Sequence, residues 1–417
     1  MSLYFIILFF TFFVFLTWKR FFLACAVVVL LLPSYLIRFS FGPLPTTFLE
    51  IMIGIIFIFF LIRLFNKDNR KLFQNRIQNL FNNHKALLFA IGLFVIGAVI
   101  GVIISTDVRS ALGEWKAFFI EPIIFAFILY TSIKNRLQIN NLIFALVLSG
   151  LATAFLAIYQ HYTGWMVPYD FWENRNTYRV TGWWGFPNGV GIYLAPIIPL
   201  AIYLFLKGKN KFIKLTSLLF VPLALLAVFY SKSTGALIGI SAGLFFILLF
   251  NKFTRIGVVI LSLSVFLFVM FTPMANGIKK EILLQDVSGQ LRINMWGETV
   301  ELLRHNPLFG VGLASYQKAI YPYRIDKWIE VFHHPHNQFL TMLVNTGLIG
   351  LFGFVLILLW FFKTAFKNLK GFLVMFLISS MIVFLVMGLV DSPYIKNDMV
   401  IIFWLLPTFL LILSEKT

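Results

Sequence analysis

Residues 86–104 read ALLFAIGLFVIGAVIGVII, a run of nineteen residues without a charged side chain. A run of this length can cross the roughly 30 Å hydrocarbon core of a bilayer as a single α-helix. Backbone polar groups find no partners in lipid, so a spanning segment must satisfy them internally, as a helix does. Similar runs recur from one end of the chain to the other. Residues 86–104 therefore predict one of many membrane-spanning helices.

The composition supports this fold class. Of the 417 residues, 60% are hydrophobic and only 12% are charged, whereas soluble domains average roughly 45–50% apolar and about 25% charged residues. The runs are continuously apolar, which excludes the alternating pattern of a membrane barrel. The only cysteine, Cys25, excludes an intramolecular disulfide and argues against a metal–thiolate cluster. We expect an all-α polytopic membrane protein that forms a single integral membrane domain over residues 1–417.

Thirteen apolar spans can be read from the sequence, or twelve if the first does not cross. They cover residues 3–18, 21–38, 47–65, 86–104, 115–133, 141–159, 189–206, 215–230, 235–250, 256–272, 338–362, 371–389 and 399–414. The basic loops at 66–85, 207–214 and 363–370 predict the cytoplasmic side, because short cytoplasmic loops are enriched in Lys and Arg. Much of the net charge of +18 follows from this bias, so nucleic acid is not expected as a partner.

Two long loops face the opposite, outer side, at 160–189 and 273–337. Loops longer than about 12–15 residues are usually functional or disordered. The first contains four tryptophans, and aromatic residues are rare in disordered segments. In the second, apolar residues at helical spacing predict an amphipathic helix over 288–305, ended by Asn306-Pro307. The sequence therefore predicts ordered, functional loops on the outer face.

Basic residues in these outer segments run against the usual charge bias. They include Arg179, Lys232 and Arg292, and Asp391 lies at the outer end of the twelfth span. The guanidinium group binds phosphate oxygens in a planar, bidentate manner. An outward-facing cluster of cations thus indicates an anionic substrate at the outer leaflet, with lipid headgroup contact or local ion pairing as the alternative.

Three of the six histidines fall within residues 333–336, which read HHPH. A metal site could use His333 and His336, although Pro335 disrupts helical spacing and no HExxH pattern is present. A structural cluster of histidines at the membrane interface is a second interpretation. The third is a general base, since imidazole titrates near neutral pH. His336 suits this role best, because Asn337 can cap the helix that begins there.

Four segments, in this order, resemble the O-antigen ligase and O-antigen polymerase superfamily of bacterial membrane enzymes. RVTGWWGFPNGVGIYL (179–194) contributes Arg179, and YSKSTGALIG (230–239) has Lys232 where the family has arginine. LRINMWGETVELLRHNPLFGVGLASY (291–316) contributes Arg292 and Trp296. The fourth segment joins His336-Asn337 to Gly347-x-x-Gly350. The resemblance covers about residues 105 to 400.

The resemblance implies a glycosyltransferase of the GT-C type, with about 12 (12–13) helices around a lateral cavity and a long outer loop ending at the catalytic histidine. It implies an undecaprenyl-pyrophosphate glycan as donor and His336 as the base that activates an acceptor hydroxyl, with inversion and without metal or other cofactor. The pyrophosphate would be bound by Arg179, Arg292 and Lys232. Supporting residues would be Asn337, Gly347, Gly350, His333, Trp296 and Asp391.

The acceptor remains open at this stage. A ligase would transfer the glycan to lipid A core or another surface molecule, and a polymerase to a second lipid-linked glycan. A transporter or flippase for lipid-linked glycans is the alternative from another class, but it should show repeat symmetry, and no repeat is recognisable. In each case we expect a multi-pass protein of the bacterial inner membrane, in contact with membrane lipids and with its site on the periplasmic face.

Overall fold

The computed structural model describes residues 3–42, 44–168, 174, 178–250, 253–272, 276–325, 327 and 330–415. The helices are α1 (Leu3–Lys19), α2 (Phe21–Leu30), α3 (Phe48–Arg63), α4 (Lys67–Asn83), α5 (Lys85–Ile103), α6 (Val108–Trp115), α7 (Glu121–Ser132), α8 (Arg136–Thr163), α9 (Pro187–Leu194), α10 (Ile197–Lys207), α11 (Lys211–Tyr230), α12 (Thr234–Leu249), α13 (Arg255–Phe271), α14 (Asn276–Ile282), α15 (Val287–His305), α16 (Tyr316–Ile320), α17 (Gln338–Lys367), α18 (Phe372–Met387) and α19 (Asn397–Ser414). The prediction of a helical membrane protein is confirmed at this level.

Six helical segments of the described chain are long and apolar enough to cross a membrane. They are α5, α8, α9 with α10, α11, α17 and α19. A seventh results if α3 and α4, which meet at 106°, form one span. Helices α1, α2, α12, α13 and α18 are apolar but shorter, at 10–17 residues. Twelve crossings and a GT-C architecture therefore remain predictions.

The structure differs from the predicted spans and loops in three places, each for a physical reason. The span at 21–38 ends as a helix at Leu30, because Pro33 leads into a short 3₁₀ turn and then an antiparallel hairpin of β1 (Arg38–Phe41) and β2 (Leu44–Thr47). The basic loop at 66–85 is largely the polar helix α4, begun by the side-chain cap of Asn66. The span at 189–206 is divided between α9 and α10 near Pro196.

The first long loop is shorter than the sequence predicts, and the second contains helices in addition to the predicted one. The first runs from the end of α8 to Pro187, and its residues 169–173 and 175–177, including Trp172, lie outside the described residues. The second contains α14, α15 and α16. Helix α15 covers Val287–His305 and is begun by the side chain of Asp286, which accepts from Gly289 N at 3.2 Å. The bounds of the helix predicted at 288–305 are thus confirmed to within one residue.

Helices α5 and α17 approach closely because glycines line both contact surfaces. A Cβ built on Gly97 would overlap the Cα of Gly350, and one built on Gly353 would lie 2.8 Å from the Cα of Phe94. Gly97 and Gly101 form the small-xxx-small pattern that lets membrane helices pack backbone against backbone. Gly350 therefore has a packing role in this pair.

Helix α17 is broken at Gly347, whose φ of 63° and ψ of −169° are not helical. The loop after α15 fills the gap: Val311 N donates to Val344 O at 2.8 Å, and Leu348 N donates to Leu308 O at 2.9 Å. Helical breaks inside a membrane are tolerated where neighbouring protein satisfies the freed backbone groups. The break thus fastens the outer loop to α17.

Substituting Gly97 by Ala should destabilise the protein, because the added methyl group has to displace the backbone of Gly350. Overpacking of this kind costs about 1–3 kcal/mol, which thermal unfolding in detergent would detect as a lower midpoint. Gly92→Ala is the matched control on the same helix, since a Cβ there meets nothing within 4 Å. Equal midpoints for the two variants would contradict the close contact.

Candidate active site

The histidine stretch ends in a tight turn at the start of α17. His336 has a φ of 49°, in the left-handed region that non-glycine residues rarely adopt. The next residue, Asn337, caps α17 by accepting from the backbone N–H groups of Phe339 and Leu340 at 3.0 and 3.1 Å. Its Nδ2 donates to Leu389 O at 3.0 Å. The predicted cap is confirmed, and it also joins the histidine turn to the loop between α18 and α19.

Asp391, in that loop, contacts the imidazole of His336. The distance from Asp391 Oδ1 to His336 Nδ1 is 3.4 Å, and the Asp391 side chain is only 7% exposed. The same oxygen accepts from Ser392 N at 2.7 Å, and Oδ2 accepts from Asn188 Nδ2 at 3.2 Å. Burial on its own would raise the pKa of Asp391, but the neighbouring His336 and Lys396 lower it well below its usual value. Asp391 is therefore a buried carboxylate held between the histidine and Asn188.

Asn188 connects this carboxylate to Arg179. The Arg179 Nη2 atom donates to Asn188 Oδ1 at 3.0 Å and to Lys232 O at 3.1 Å, while Nε donates to Ser231 O at 2.8 Å. Lys232 itself has a φ of 51°, which turns its carbonyl group within reach. A continuous chain of contacts thus runs from His336 through Asp391 and Asn188 to Arg179.

Arg292 reaches the same region from α15. Its Nε donates to Val390 O at 2.9 Å, and its Nη1 donates to Ser288 Oγ at 2.9 Å. Burial and the charge of Arg292 lower the pKa of Arg179 to about 10, against an opposing effect of Glu281. Arg179 therefore stays protonated at neutral pH, and the two guanidinium groups place like charges near each other.

A cavity of about 330 Å³ lies between these groups. Arg179, Arg292 and Lys232 all line it, as do Asn188 and Asp391. Three carboxylates also reach its wall, and each has a bond of its own: Asp391 as above, Asp286 as the cap of α15, and Glu281 as acceptor from Thr234 at 2.7 Å. The cavity can accommodate a group of phosphate oxygens between cations that backbone carbonyls hold in place.

Trp296 supports the histidine turn from outside. Its indole Nε1 donates to Pro335 O at 2.9 Å, so α15 carries both Arg292 and a contact that fixes the residue before His336. One helix therefore positions the predicted base and one of the predicted phosphate ligands together.

The structure groups His334, rather than the predicted His333, with His336. The rings of His334 and His336 lie 4.7 Å apart, whereas the His333 side chain is exposed. Which imidazole faces inward depends on the turn at Pro335 and His336, where helical spacing does not apply. His334, His336 and Asp391 place ligand atoms within 4.8 Å of one another, so this group of described residues could hold a metal ion.

The predicted residues divide into two groups. One connected region contains seven of them: His336, Asn337, Asp391, Arg179, Arg292, Lys232 and Trp296. Gly347 lies ten residues along α17 from Asn337, about 15 Å at 1.5 Å per residue, and it shapes the helix, as Gly350 does. Asn188 was assigned no role from the sequence. Its bonds depend on tertiary contacts, which no local pattern in the sequence indicates.

Lowering the pH from 7.5 to 5.5 should destabilise the protein in part through His334. Burial, with the nearby His336 and Lys396, lowers the pKa of His334 well below its usual value. Below about pH 6.5 the unfolded chain therefore binds more protons than the folded protein. The contribution of His334 to the free energy of unfolding is complete above that pH, and it declines below it by up to about 1.4 kcal/mol per pH unit. His334→Asn should flatten the dependence of the unfolding midpoint on pH. The control is His305→Asn, at an exposed position, and an unchanged slope in His334→Asn would contradict the assignment.

Residues 218–355 match the family model described as O-Antigen ligase. The matched segment runs from α11 into α17 and contains Lys232, Arg292 and His336, whereas Arg179 and Asp391 lie on either side of it. No curated protein matches the chain. The family match agrees with the resemblance carried by the motifs and supports the O-antigen ligase superfamily for this segment of the chain.

Proposed function

We propose that the protein transfers a glycan from undecaprenyl pyrophosphate to an acceptor hydroxyl at the periplasmic face of the inner membrane. The observation that carries the proposal is the position of Asp391, which contacts His336 and also lines the cavity that holds Arg179, Lys232 and Arg292. A candidate base and a candidate anion site are thereby joined by one side chain. The family match supports a ligase-type or polymerase-type reaction.

In this proposal His336 takes the proton from the acceptor. A carboxylate only accepts hydrogen bonds, so contact with Asp391 favours the tautomer whose Nδ1 carries the hydrogen. The Nε2 atom then receives the proton of the hydroxyl as its oxygen attacks the anomeric carbon. The bond from that carbon to the phosphate oxygen breaks, and its electron pair leaves with undecaprenyl pyrophosphate. A single displacement of this kind inverts the anomeric configuration.

The cavity would bind the pyrophosphate. The leaving group gains negative charge as the bond breaks, and fixed cations stabilise that charge without having to reorganise. Backbone carbonyls hold the guanidinium groups of Arg179 and Arg292 in place. Lys232 supplies a point charge and lacks the bidentate fork, so we assign it a smaller share of the binding.

The identity of the acceptor distinguishes a ligase from a polymerase. A ligase would use lipid A core or another surface molecule, and a polymerase would use a second lipid-linked glycan. Purified protein with a synthetic donor and both kinds of acceptor would distinguish them, because the sugar would appear on only one acceptor.

Replacing His336 by Gln should lower the turnover by about 10²-fold or more, the usual contribution of a positioned base. The assay follows the release of undecaprenyl pyrophosphate in the presence of EDTA. His333→Gln is the control, since that side chain is exposed. Unchanged turnover in His336→Gln would exclude it as the base. Loss of wild-type activity in EDTA, restored by a divalent ion, would instead point to a metal at His334, His336 and Asp391.

Arg292→Gln should lower kcat/KM for the donor by roughly 10- to 100-fold, because a hydrogen bond to a charged group is worth about 1.5–3 kcal/mol. Arg304→Gln is the matched control on the same helix, where the arginine is exposed and paired with Glu301. Equal donor kinetics for the two variants would remove Arg292 from the binding site.

If neither wild type nor any variant released undecaprenyl pyrophosphate although the donor bound, transport of the lipid-linked glycan would replace transfer as the function.

A further inference from the structure

A second cavity, of about 690 Å³, lies at the other end of the helix bundle. It opens between the start of α2, the end of α3 and the start of α8, on the side that the basic loops predict to be cytoplasmic. Its volume is within the roughly 300–1,000 Å³ range of small-molecule sites. Neither the family match nor the proposed function gives it a role.

Two helix faces form its apolar walls. Leu23, Ala26, Val27 and Leu30 follow the i, i+3, i+4, i+7 spacing of one face of α2. On α8, Phe144, Ala145 and Leu148 take the last three positions of the same pattern, which begins at Asn141. The two helices also pack against each other. The cavity is therefore a cleft between helices with continuous hydrocarbon sides.

Its mouth carries four cations: Lys19, Arg20, Arg63 and Lys134. Their helices end at this level, so the charges lie above the apolar walls. The guanidinium group of Arg63 also lies 4.6 Å from the ring centroid of Phe21, which fixes it at the rim. None of the described residues that line the cavity is acidic.

Polar side chains that can hydrogen-bond a headgroup lie among these cations. Ser132, Gln138 and Asn141 reach the same cavity. The arrangement places charge and hydrogen-bonding groups at the membrane surface, with hydrocarbon beneath. The polar and apolar regions of the cavity thus match those of a phospholipid, whose phosphate headgroup lies at the interface and whose acyl chains lie deeper in the bilayer.

We propose that this cleft binds an anionic phospholipid of the cytoplasmic leaflet, with its phosphate among Arg20, Arg63 and Lys134 and an acyl chain between α2 and α8. Basic pockets between membrane helices on the cytoplasmic side are suited to anionic headgroups. The other basic segments of this side, such as residues 67–71 and 207–214, lie on helices or loops and do not line the cavity. Charge together with apolar walls distinguishes the cleft from the general positive bias.

The test is lipid retention by the full-length protein in detergent, measured by native mass spectrometry. Phosphatidylglycerol should be retained in preference to phosphatidylcholine. The double variant Arg20→Gln, Lys134→Gln should weaken phosphatidylglycerol retention by on the order of tenfold or more, given the usual contribution of each cation near an anionic surface. Lys211→Gln, Lys214→Gln is the matched control, which removes two cations near the start of α11, outside the cavity.

A second variant, Leu148→Trp, tests the apolar part by filling the cleft, and it should lower retention without removing charge. If it fails to fold, the charge variants still decide. Equal retention of the two lipids, or equal losses in the two double variants, would overturn the proposal. Displacement of the lipid by millimolar inorganic phosphate would show that the site binds a soluble anion instead. The readout does not involve glycan transfer, so its outcome is independent of the proposed function.

Discussion

The contact between Asp391 and His336 is the constraint on which the candidate active site depends. Its 3.4 Å separation brings together the loop before α19 and the turn before α17, and the second oxygen of the same carboxylate binds Asn188 at the start of α9. Three segments far apart in sequence thus meet at one buried charge. A buried carboxylate is costly unless it is paired and hydrogen-bonded, so these contacts offset the cost of burying Asp391 and also orient the imidazole of His336.

Breaks in regular structure make the meeting possible. The left-handed conformations of Lys232 and His336 turn the chain at two edges of the site. Gly347 interrupts α17 so that the loop after α15 can bond to it, and that loop follows the helix that carries Arg292 and Trp296. The glycines of α5 and α17 then allow the broken helix to pack closely against α5. The features that look least regular are the ones that place the candidate base beside the candidate anion site.

Much of this could be predicted from the sequence, and the rest depends on contacts that have no local pattern. Apolar length predicted the helical membrane class, and helical spacing predicted α15 within one residue. The cap at Asn337 followed from its position before an apolar run. The inward orientation of His334 could not be predicted, because it is set by a turn and not by a period. The hydrogen bonds of Asn188 could not be predicted either, since its side-chain partners lie elsewhere in the chain. Helix α4 was not predicted because its composition is polar and resembles that of a loop.

The central claim is that the cavity beside Asp391 binds the pyrophosphate of a lipid-linked donor within reach of His336. The most direct measurement is a structure by electron cryo-microscopy of the protein with undecaprenyl pyrophosphate bound. We expect density for the two phosphates between Arg179 and Arg292, with the bound oligoprenyl chain leaving toward the membrane. Density for the phosphates elsewhere on the outer face, with this cavity empty, would contradict it.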